Sequence, residues 1–367
     1  MGIVDELQLQ NEMDTVFGLR KPTEGSRPFT FCALYRYYTG DADLTGFFSP
    51  KQLPPDLRAR MAINAGSFPK ALANSLNRFL SVGYNNINYF DEILISQKAP
   101  ANRLGRCAFI ETGCWDDLPP IEPEAEDYPD MPAITEAHNP FDILQKGFVI
   151  PVSRKTIVND NIGLLKRLIL RAGHVSRKTH ARYIWNMWIN NDNCNDGTAW
   201  FSADHGNLGS DVVSISAVTA AITALAAMTE PGPSNDVMGI DLSKPQFHLV
   251  VASSIWDEAV KVNQAKYVYS ANDLTNMQVN PCYHLFGDHN ERIATPPFLT
   301  GTAWGVIRNK EEVPIIEMQY LNGKEEPEIV FERDPMSAIN DDFFGLKIRF
   351  EFGGSISDYR GGYKSIP

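Results

Sequence analysis

Histidines and carboxylates at two places in the chain could together do metal or acid–base chemistry. The first place is the run Asp204-His205-Gly206-Asn207, and the second holds His284, Asp288 and His289. A metal-dependent hydrolase is one interpretation, and its site would use Asp204, His205, His284 and His289. Against it, the two later histidines are five residues apart, whereas a spacing of four places two imidazoles on one helical face. Asp, His, Gly and Asn are also common turn residues that hydrogen bond to their own backbone.

The usual signatures of nucleotide binding and hydrolysis do not occur. The sequence contains no GxGxxG, P-loop, GxSxG or HExxH motif. Its five cysteines are odd in number and widely spaced, and none forms a CxxC pair. This pattern predicts reduced thiols rather than a zinc ribbon or a disulfide framework. We therefore predict no cofactor, no metal and no enzymatic activity.

The composition is that of a globular protein with an acidic balance. The 367 residues include 33 Lys plus Arg and 45 Asp plus Glu, so the net charge is 33 − 45 = −12. Hydrophobic residues make up 43% and charged residues 21%. A negative net charge argues against a protein whose main task is to neutralise phosphates. No apolar run approaches the roughly 18 residues of a membrane helix.

Residues 111–136 form an acidic, proline-rich segment. It contains no Lys or Arg and nine acids, namely Glu111, Asp116, Asp117, Glu122, Glu124, Glu126, Asp127, Asp130 and Glu136. Five prolines, at 119, 120, 123, 129 and 132, interrupt any continuous helix or central strand. The segment is predicted to be an extended, solvated loop, and a long loop of this kind is usually functional or a linker.

Residues 151–182 have the opposite charge. Eight cations face the single acid Asp160, so the segment carries 8 − 1 = +7. The cations are Arg154, Lys155, Lys166, Arg167, Arg171, Arg177, Lys178 and Arg182. Apolar residues recur at helical spacing from Ile162 to Met187, which predicts a long helix that is capped by Asn159 or Asp160 and runs to about Asn190. Gly173 is expected to weaken its middle.

Other elements follow from local patterns. Residues 1–66 predict an extended arm with little core of its own, and a helix is predicted over 68–82 between Ser67 and Gly83. An Ala-rich helix over 214–229 and a strand over 247–252 suggest a compact α/β lobe. The turn Asn322-Gly323 predicts a hairpin between residues 313–321 and 328–331. Alternating residues from 346 to 352 predict a half-buried strand.

Several short motifs, taken in order, resemble a known family. They are Tyr38-Thr39-Gly40-Asp41, Ser67-Phe68-Pro69-Lys70-Ala71-Leu72, Thr156-Ile157-Val158-Asn159-Asp160, Gly197-Thr198-Ala199-Trp200-Phe201, Asp204-His205-Gly206-Asn207-Leu208 and Asp358-Tyr359-Arg360-Gly361-Gly362-Tyr363. Across residues 35–365 the chain resembles the major capsid proteins of tailed bacteriophages, in the Mu-like major head subunit group. Each motif is weak alone, and their order and spacing carry the resemblance.

The resemblance implies an α+β fold of the Hong Kong 97 type. We expect an N-terminal arm with a short helix over 1–83 and an extended loop over 84–150. A peripheral domain with a spine helix would cover 151–210, an axial domain 211–310, and a return to the peripheral sheet 311–367. The protein is then a virion capsid subunit, made in the host cytoplasm, that forms the hexamers and pentamers of an icosahedral shell around double-stranded DNA. Scaffolding, decoration and portal proteins are further expected partners, and no membrane is involved. An encapsulin-like compartment is the alternative with the same fold.

The two charged segments suggest how subunits recognise one another. In the resembled fold the extended loop lies across a neighbouring subunit. We therefore expect the acids Asp116, Asp117, Glu122, Glu124, Glu126 and Asp127 to approach Arg154, Lys155, Arg167 and Arg171 of an adjacent copy. The family's namesake joins subunits through a loop lysine, but residues 99–145 contain no lysine. We accordingly expect a non-covalent shell.

Overall fold

A computed structural model describes residues 2–21, 30, 33–34, 72, 74–112, 136–153, 162–229, 237–238, 247–270, 273–331 and 343–367. The chain divides into two compact units, each built from several segments. Unit 1 comprises Met1–Ile87, Gln145–Thr179 and Lys324–Glu351, and unit 2 comprises Asn88–Leu144, His180–Gly323 and Phe352–Pro367. None of the helices in these ranges is both long enough and apolar enough to cross a membrane.

The described residues include thirteen strands, the α-helices named next and three short 3-10 helices (Asp91–Ile93, Ser253–Ile255 and Tyr359–Gly361). The helices are α1 (Gly2–Val16), α2 (72 and 74–85), α3 (Ile162–Asn190), α4 (Ile215–Ala226) and α5 (Trp256–Gln264). The strands are β1 (Ile95–Ala101), β2 (Gly105–Thr112), β3 (Glu136–Ser153), β4 (Leu208–Gly209), β5 (His248–Val251), β6 (Tyr267–Ser270), β7 (Asp273–Val279), β8 (Ile293–Ala294), β9 (Trp304–Ile307), β10 (Ile316–Leu321), β11 (Glu328–Phe331), β12 (Phe343–Ile356) and β13 (Gly362–Ser365).

These strands form three sheets. The first has the order β1-β10-β12-β3-β2, with β11 also paired to β12. The second has the order β4-β13-β9-β5-β8, and β6 and β7 pair only with each other. With helices packed in both units, the fold is α+β, as the sequence predicted.

The start of the chain is helical and contributes to the core of unit 1. Leu9, Met13 and Phe17 follow one another at intervals of four residues, so they lie on one side of α1 and its C-terminal turn. At most 1% of each residue is exposed. The prediction of an extended arm with little core is therefore wrong over residues 2–17. Weak apolar periodicity in this short stretch hid the helix, and burial against α2 and α3 stabilises it.

Helices α2 and α3 touch through their backbones at two glycines. A Cβ atom at Gly83 would lie 2.5 Å from the carbonyl oxygen of Leu170, and one at Gly173 would lie 2.7 Å from the amide nitrogen of Tyr84. Gly83 lies inside α2 rather than ending it, which corrects the predicted stop. Gly173 costs helix propensity, as expected, but its missing side chain permits the close crossing.

The predicted hairpin at Asn322-Gly323 does not form. Both residues adopt positive φ, and the amide of Gly323 donates to the carbonyl of Tyr320 across 3.0 Å, so the turn itself is present. The flanking strands do not pair with each other, however. Strand β10 pairs with residues 352–356 of β12, and β11 pairs with residues 346–349 of the same strand. The alternating strand predicted over 346–352 is confirmed within β12.

In unit 2, α4 and α5 pack on the second sheet around a shared apolar core. Ser214 caps α4 by accepting a hydrogen bond from the amide of Ala217. Strand β13 pairs with β9 in this sheet, so residues 362–365 do not return to the first sheet as the expected 311–367 segment would. The ammonium of Lys364 donates to the carbonyl of Trp188 near the end of α3 across 2.8 Å. Burial lowers the pKa of this lysine to about 8.

We predict that Gly173→Ala destabilises the protein. Alanine improves helix propensity by about 1 kcal/mol, but its methyl group would overlap the backbone of α2, and overpacking of this kind typically costs about 1–3 kcal/mol. Gly163→Ala is the matched control, because a Cβ there meets nothing within 4 Å on the same helix. Urea unfolding should show a lower midpoint for the first variant and an equal or higher midpoint for the second. Equal midpoints for Gly173→Ala and the wild type would contradict the close crossing.

Candidate functional site

Three cations form an exposed basic face on α3 in unit 1. Arg167, Arg171 and Lys178 are all solvent-exposed and are spaced by four and seven residues, which places them on one side of the helix. The sequence of α3 contains no Asp or Glu. Within the described residues no carboxylate oxygen lies within 4.0 Å of their charged groups. The other two predicted cations, Arg154 and Lys155, lie outside the described residues.

Two further cations of residues 151–182, Lys166 and Arg177, lie against aromatic rings rather than on the exposed side of α3. The Lys166 ammonium lies 5.7 Å from the ring centroids of both Phe17 and Phe79, and burial lowers its pKa. Arg177 is only 6% exposed, and its guanidinium carbon lies 5.6 Å from the ring centroid of Tyr84. These cations stabilise the interior of unit 1 by cation–π contacts. The +7 segment is therefore not a single solvated face.

Apolar residues lie beside the cations on the exposed side of α3. Leu164 is 43% exposed and Val175 is 52% exposed. We define the basic face as Leu164, Arg167, Arg171, Val175 and Lys178. Charged groups beside exposed apolar ones are typical of a surface that binds a partner.

The acidic segment joins the ends of a β-hairpin. Strands β2 and β3 pair antiparallel from Gly105 with Ile143 to Thr112 with Glu136. The predicted contact residues Asp116, Asp117, Glu122, Glu124, Glu126 and Asp127 all lie outside the described residues. Whether they approach the basic face of another copy therefore stays a prediction.

Sequence reasoning missed the hairpin that carries the acidic segment. Four side chains on one face of β2 and β3 form a small core, and they are Cys107, Phe109, Phe141 and Ile143. The rings of Phe109 and Phe141 stack with centroids 4.7 Å apart. Apolar residues occupy alternate positions in each strand, and this period of two could have predicted both strands from the sequence.

The histidine-containing turn at 204–207 is a structural element of unit 2. His205 Nε2 lies 2.7 Å from a carboxylate oxygen of Asp196, and its ring stacks on Tyr359 with centroids 3.7 Å apart. Burial raises the pKa of Asp196, but hydrogen bonds from His205 and the amide of Thr198 outweigh it and lower the pKa overall. Only 5% of the His205 side chain is exposed. These contacts hold the turn against the 359–362 segment.

The metal site of the alternative hydrolase interpretation is not assembled in the described residues. His284 Nδ1 lies 2.6 Å from the neighbouring Asp288, and His289 contacts Glu291 at 3.6 Å. Among the residues that the structure describes, no group of three or more His, Cys, Asp and Glu side chains could hold a metal ion. The ligand set Asp204, His205, His284 and His289 is therefore wrong. The turn chemistry of these residue types accounts for them instead.

A buried polar chain in unit 2 was not anticipated. His180 Nδ1 lies 3.2 Å from a carboxylate oxygen of Asp91, and its Nε2 lies 2.8 Å from the hydroxyl of Tyr320. No more than 2% of any of the three residues is exposed. A buried network with satisfied partners fixes one packing arrangement, here of α3 against β10 and the turn before β1. These residues are far apart in sequence, so no local pattern pointed to them.

Comparison with known proteins gives a family and a set of distant structural likenesses. A family model described as "Phage capsid protein" matches residues 139–365. Comparison with curated protein sequences gives no match. The capsid of the empty GTA particle is 10% identical, with a TM-score of 0.47, and the likeness covers 77% of this chain and 92% of that one.

Two other solved structures are similarly distant. The structure described as Mycobacterium phage Patience is 10% identical, with a TM-score of 0.46 and coverage of 81% and 87% of the two chains. The virus-like particle from Pyrococcus furiosus is 12% identical, with a TM-score of 0.43 and coverage of 79% and 97%. The family match, by contrast, covers more than half of this chain and includes residues of both compact units. The chain therefore belongs to the phage capsid protein family, and its fold is α+β.

Proposed function

We propose that this protein assembles into the hexamers and pentamers of an icosahedral head that encloses the double-stranded DNA of a tailed phage. The observation that carries the proposal is the family match over residues 139–365. The proposed arrangement is of the Hong Kong 97 type within the Mu-like group, and the proposed location is the virion, with assembly in the host cytoplasm. Scaffolding, decoration and portal proteins are proposed partners.

The proposed subunit contact joins opposite charges. The basic face presents Arg167, Arg171 and Lys178 over about 16 Å of helix, at 1.5 Å per residue. The acidic segment of the same chain supplies nine carboxylates and no cation. Because both lie on one polypeptide, every copy in a shell could offer its acidic segment to a neighbour and receive another at its basic face. This head-to-tail pairing is the kind that closes rings.

Charge would set the register of this contact more than its strength. Exposed ion pairs contribute roughly 0–1 kcal/mol each, since water and salt screen them. Shell stability would come mainly from apolar area buried at about 25 cal/mol per Å² over many repeated interfaces. Steering by charge accelerates correct encounters and suppresses wrong ones. With no lysine in residues 99–145, the contact is proposed to be non-covalent.

The five segments expected from the resemblance become proposals with two amendments. The extended loop over 84–150, the peripheral segment over 151–210 and the axial segment over 211–310 stand as proposed. The arm over 1–83 begins with α1, which packs in the core of unit 1. The last segment, 311–367, has to include β13, which pairs in the sheet of β5 and β9. Its final residues would thus belong with the axial segment.

We expect the purified, concentrated protein to form closed polyhedral shells or hexameric rings in negative-stain electron microscopy. Particles recovered from infected or expressing cells should protect DNA from nuclease, whereas a compartment of the encapsulin type would hold protein cargo instead. Only dispersed monomers over a wide range of concentration and salt would count against the proposal.

Charge reversal should disrupt assembly without unfolding the subunit. The variant Arg167→Glu/Arg171→Glu replaces two exposed cations, so its unfolding midpoint should stay near that of the wild type. Its rate of particle formation, followed by light scattering at low salt, should fall by at least about tenfold, in line with the loss of electrostatic steering. The difference from wild type should shrink as salt is raised.

A matched control and a compensating change define the partner. Arg103→Glu/Lys266→Glu makes the same change in net charge at two exposed cations of unit 2 and should assemble normally. Adding Glu124→Lys/Glu126→Lys to the first variant should restore assembly if the acidic segment is the partner. Full assembly of the Arg167/Arg171 variant at low salt, or failure of the rescue, would overturn the charge-pairing proposal.

A further inference from the structure

A groove in unit 2 is lined by carboxylates, amides and apolar side chains and by no cation. Its volume is about 390 Å³, within the roughly 300–1,000 Å³ that is typical of small-molecule sites. Three segments line it, namely residues from 140–144 of β3, from 183–193 at the end of α3 and the turn after it, and from 354–356 of β12. All three lie in unit 2. We call this cavity the α3 groove.

One face of α3 supplies polar groups to the groove. Tyr183, Asn186, Met187 and Asn190 occupy positions i, i+3, i+4 and i+7, so they lie on one side of the helix. The Tyr183 hydroxyl donates to the carbonyl of Gly354 across 3.0 Å and accepts from its amide across 3.2 Å. Within the described residues, the side-chain amides of Asn186 and Asn190 make no hydrogen bond. The helix is therefore fixed against β12, while these two amides can bind a ligand.

Two carboxylates of the groove have no partner in the part of the chain that the structure describes. No cation lies within 4.0 Å of the Asp142 or Asp192 carboxylate, and neither accepts a hydrogen bond. Arg106 lies opposite Asp142 in the ladder of β2 and β3, but no ion pair joins their side chains. Partial burial raises the pKa of Asp192, so its charge is incompletely solvated.

The charges of both carboxylates reach the hydroxyl of Tyr183. Burial raises the pKa of this tyrosine, its hydrogen bond with Gly354 opposes the rise, and the charges of Asp192 and Asp142 add to it. The two negative charges therefore act on the same part of the groove. A cationic ligand would be attracted there, and an anionic one would be repelled because no lining residue is positively charged.

The rest of the groove is largely apolar. Phe141, Met187 and Ile356 line it and are each at most 8% exposed, so they lie at its bottom. Leu144 is 51% exposed and lies at its rim. Methylene groups gain free energy when they leave water for such a surface. The matching ligand therefore has positive charges joined by an aliphatic chain.

We propose that the α3 groove binds an aliphatic polyamine, in which methylene groups separate two or more ammonium groups. The ammonium groups would donate to the carboxylates of Asp142 and Asp192 and to the amide oxygens of α3, as charge-assisted hydrogen bonds. The methylene groups would pack on the apolar bottom of the groove. The bound polyamine would neutralise two unpaired charges and join the end of α3 to β3 and β12. This site involves neither the acidic segment nor the basic face, so it does not rest on the proposed function.

Calorimetric titration of the full-length protein with spermidine tests the proposal. We expect saturable binding of one molecule per subunit and an unfolding midpoint that rises with spermidine, because a ligand of the folded state stabilises it. Asp142→Asn/Asp192→Asn should weaken binding by roughly tenfold or more, the loss expected for two partly sheltered charge contacts. Asp211→Asn/Glu311→Gln is the matched control, since it removes two exposed, unpaired carboxylates of unit 2 outside the groove.

The control variant should bind spermidine as the wild type does. Two further titrants separate polyamine recognition from attraction of any cation, namely n-butylamine, with one ammonium group, and Mg²⁺ at matched ionic strength, with charge and no methylene groups. Both should bind at least about tenfold more weakly than spermidine, since each lacks part of the contacts. Equal affinity for either titrant, equal affinity of the Asp142/Asp192 variant and the wild type, or absence of saturable binding would overturn the proposal.

A cation built into the groove gives an independent readout. Leu144→Lys places an ammonium at the rim, where it would compete with spermidine for the carboxylates, and its unfolding midpoint without ligand should stay near that of the wild type. Leu104→Lys makes the same change at a leucine of unit 2 that is 49% exposed and outside the groove, and it should bind spermidine normally. Unchanged spermidine affinity in Leu144→Lys would contradict the use of this groove.

Discussion

The backbone contact between α2 and α3 in unit 1 is the constraint on which the charged surface depends. Gly83 and Gly173 bring the two helices so close that no side chain fits between them. This contact fixes the rotation of α3, so Leu165, Ile169 and Ala172 enter the core. The opposite side of the same helix is then exposed, and it carries Arg167, Arg171 and Lys178. A helix of 29 residues without a single acid can tolerate this density of cations because two others stack on aromatic rings.

The net charge of −12 averages over segments of opposite charge. Seven of the nine carboxylates of the acidic segment lie between two strands that pair with each other, and the exposed cations Arg167, Arg171 and Lys178 lie on a helix of unit 1. In the proposed head, the shell wall would contain DNA without binding phosphates tightly. Opposite charges that alternate between copies are better suited to recognition between subunits, which works through steering and specificity rather than net stability. Because the chain belongs to the phage capsid protein family, its basic face would lie among several copies of the same subunit in an assembled shell.

Much of the fold could be predicted from local sequence patterns, and the exceptions depend on long-range packing. The long helix, the Ala-rich helix with Ser214 as its cap and the alternating strand within β12 each carry a strong periodic signal. The prediction of a hairpin at Asn322-Gly323 was wrong because β10 and β11 each pair with β12 rather than with each other. The sequence of a turn does not show that a third strand competes for pairing. Likewise, Gly83 has the sequence context of a helix end but serves a helix crossing. Of the predicted contact residues, Arg167 and Arg171 are exposed on one face, but a contact between copies has no local signature in a single sequence.

The most direct measurement of the central claim is a cryo-electron microscopy reconstruction of assembled particles at side-chain resolution. Our account predicts that residues 113–135 of each subunit lie across unit 1 of a neighbour, with carboxylates within about 4 Å of Arg167 or Arg171, the distance of an ion pair. An acidic segment that contacts only its own subunit, or that points away from every basic face, would contradict the account.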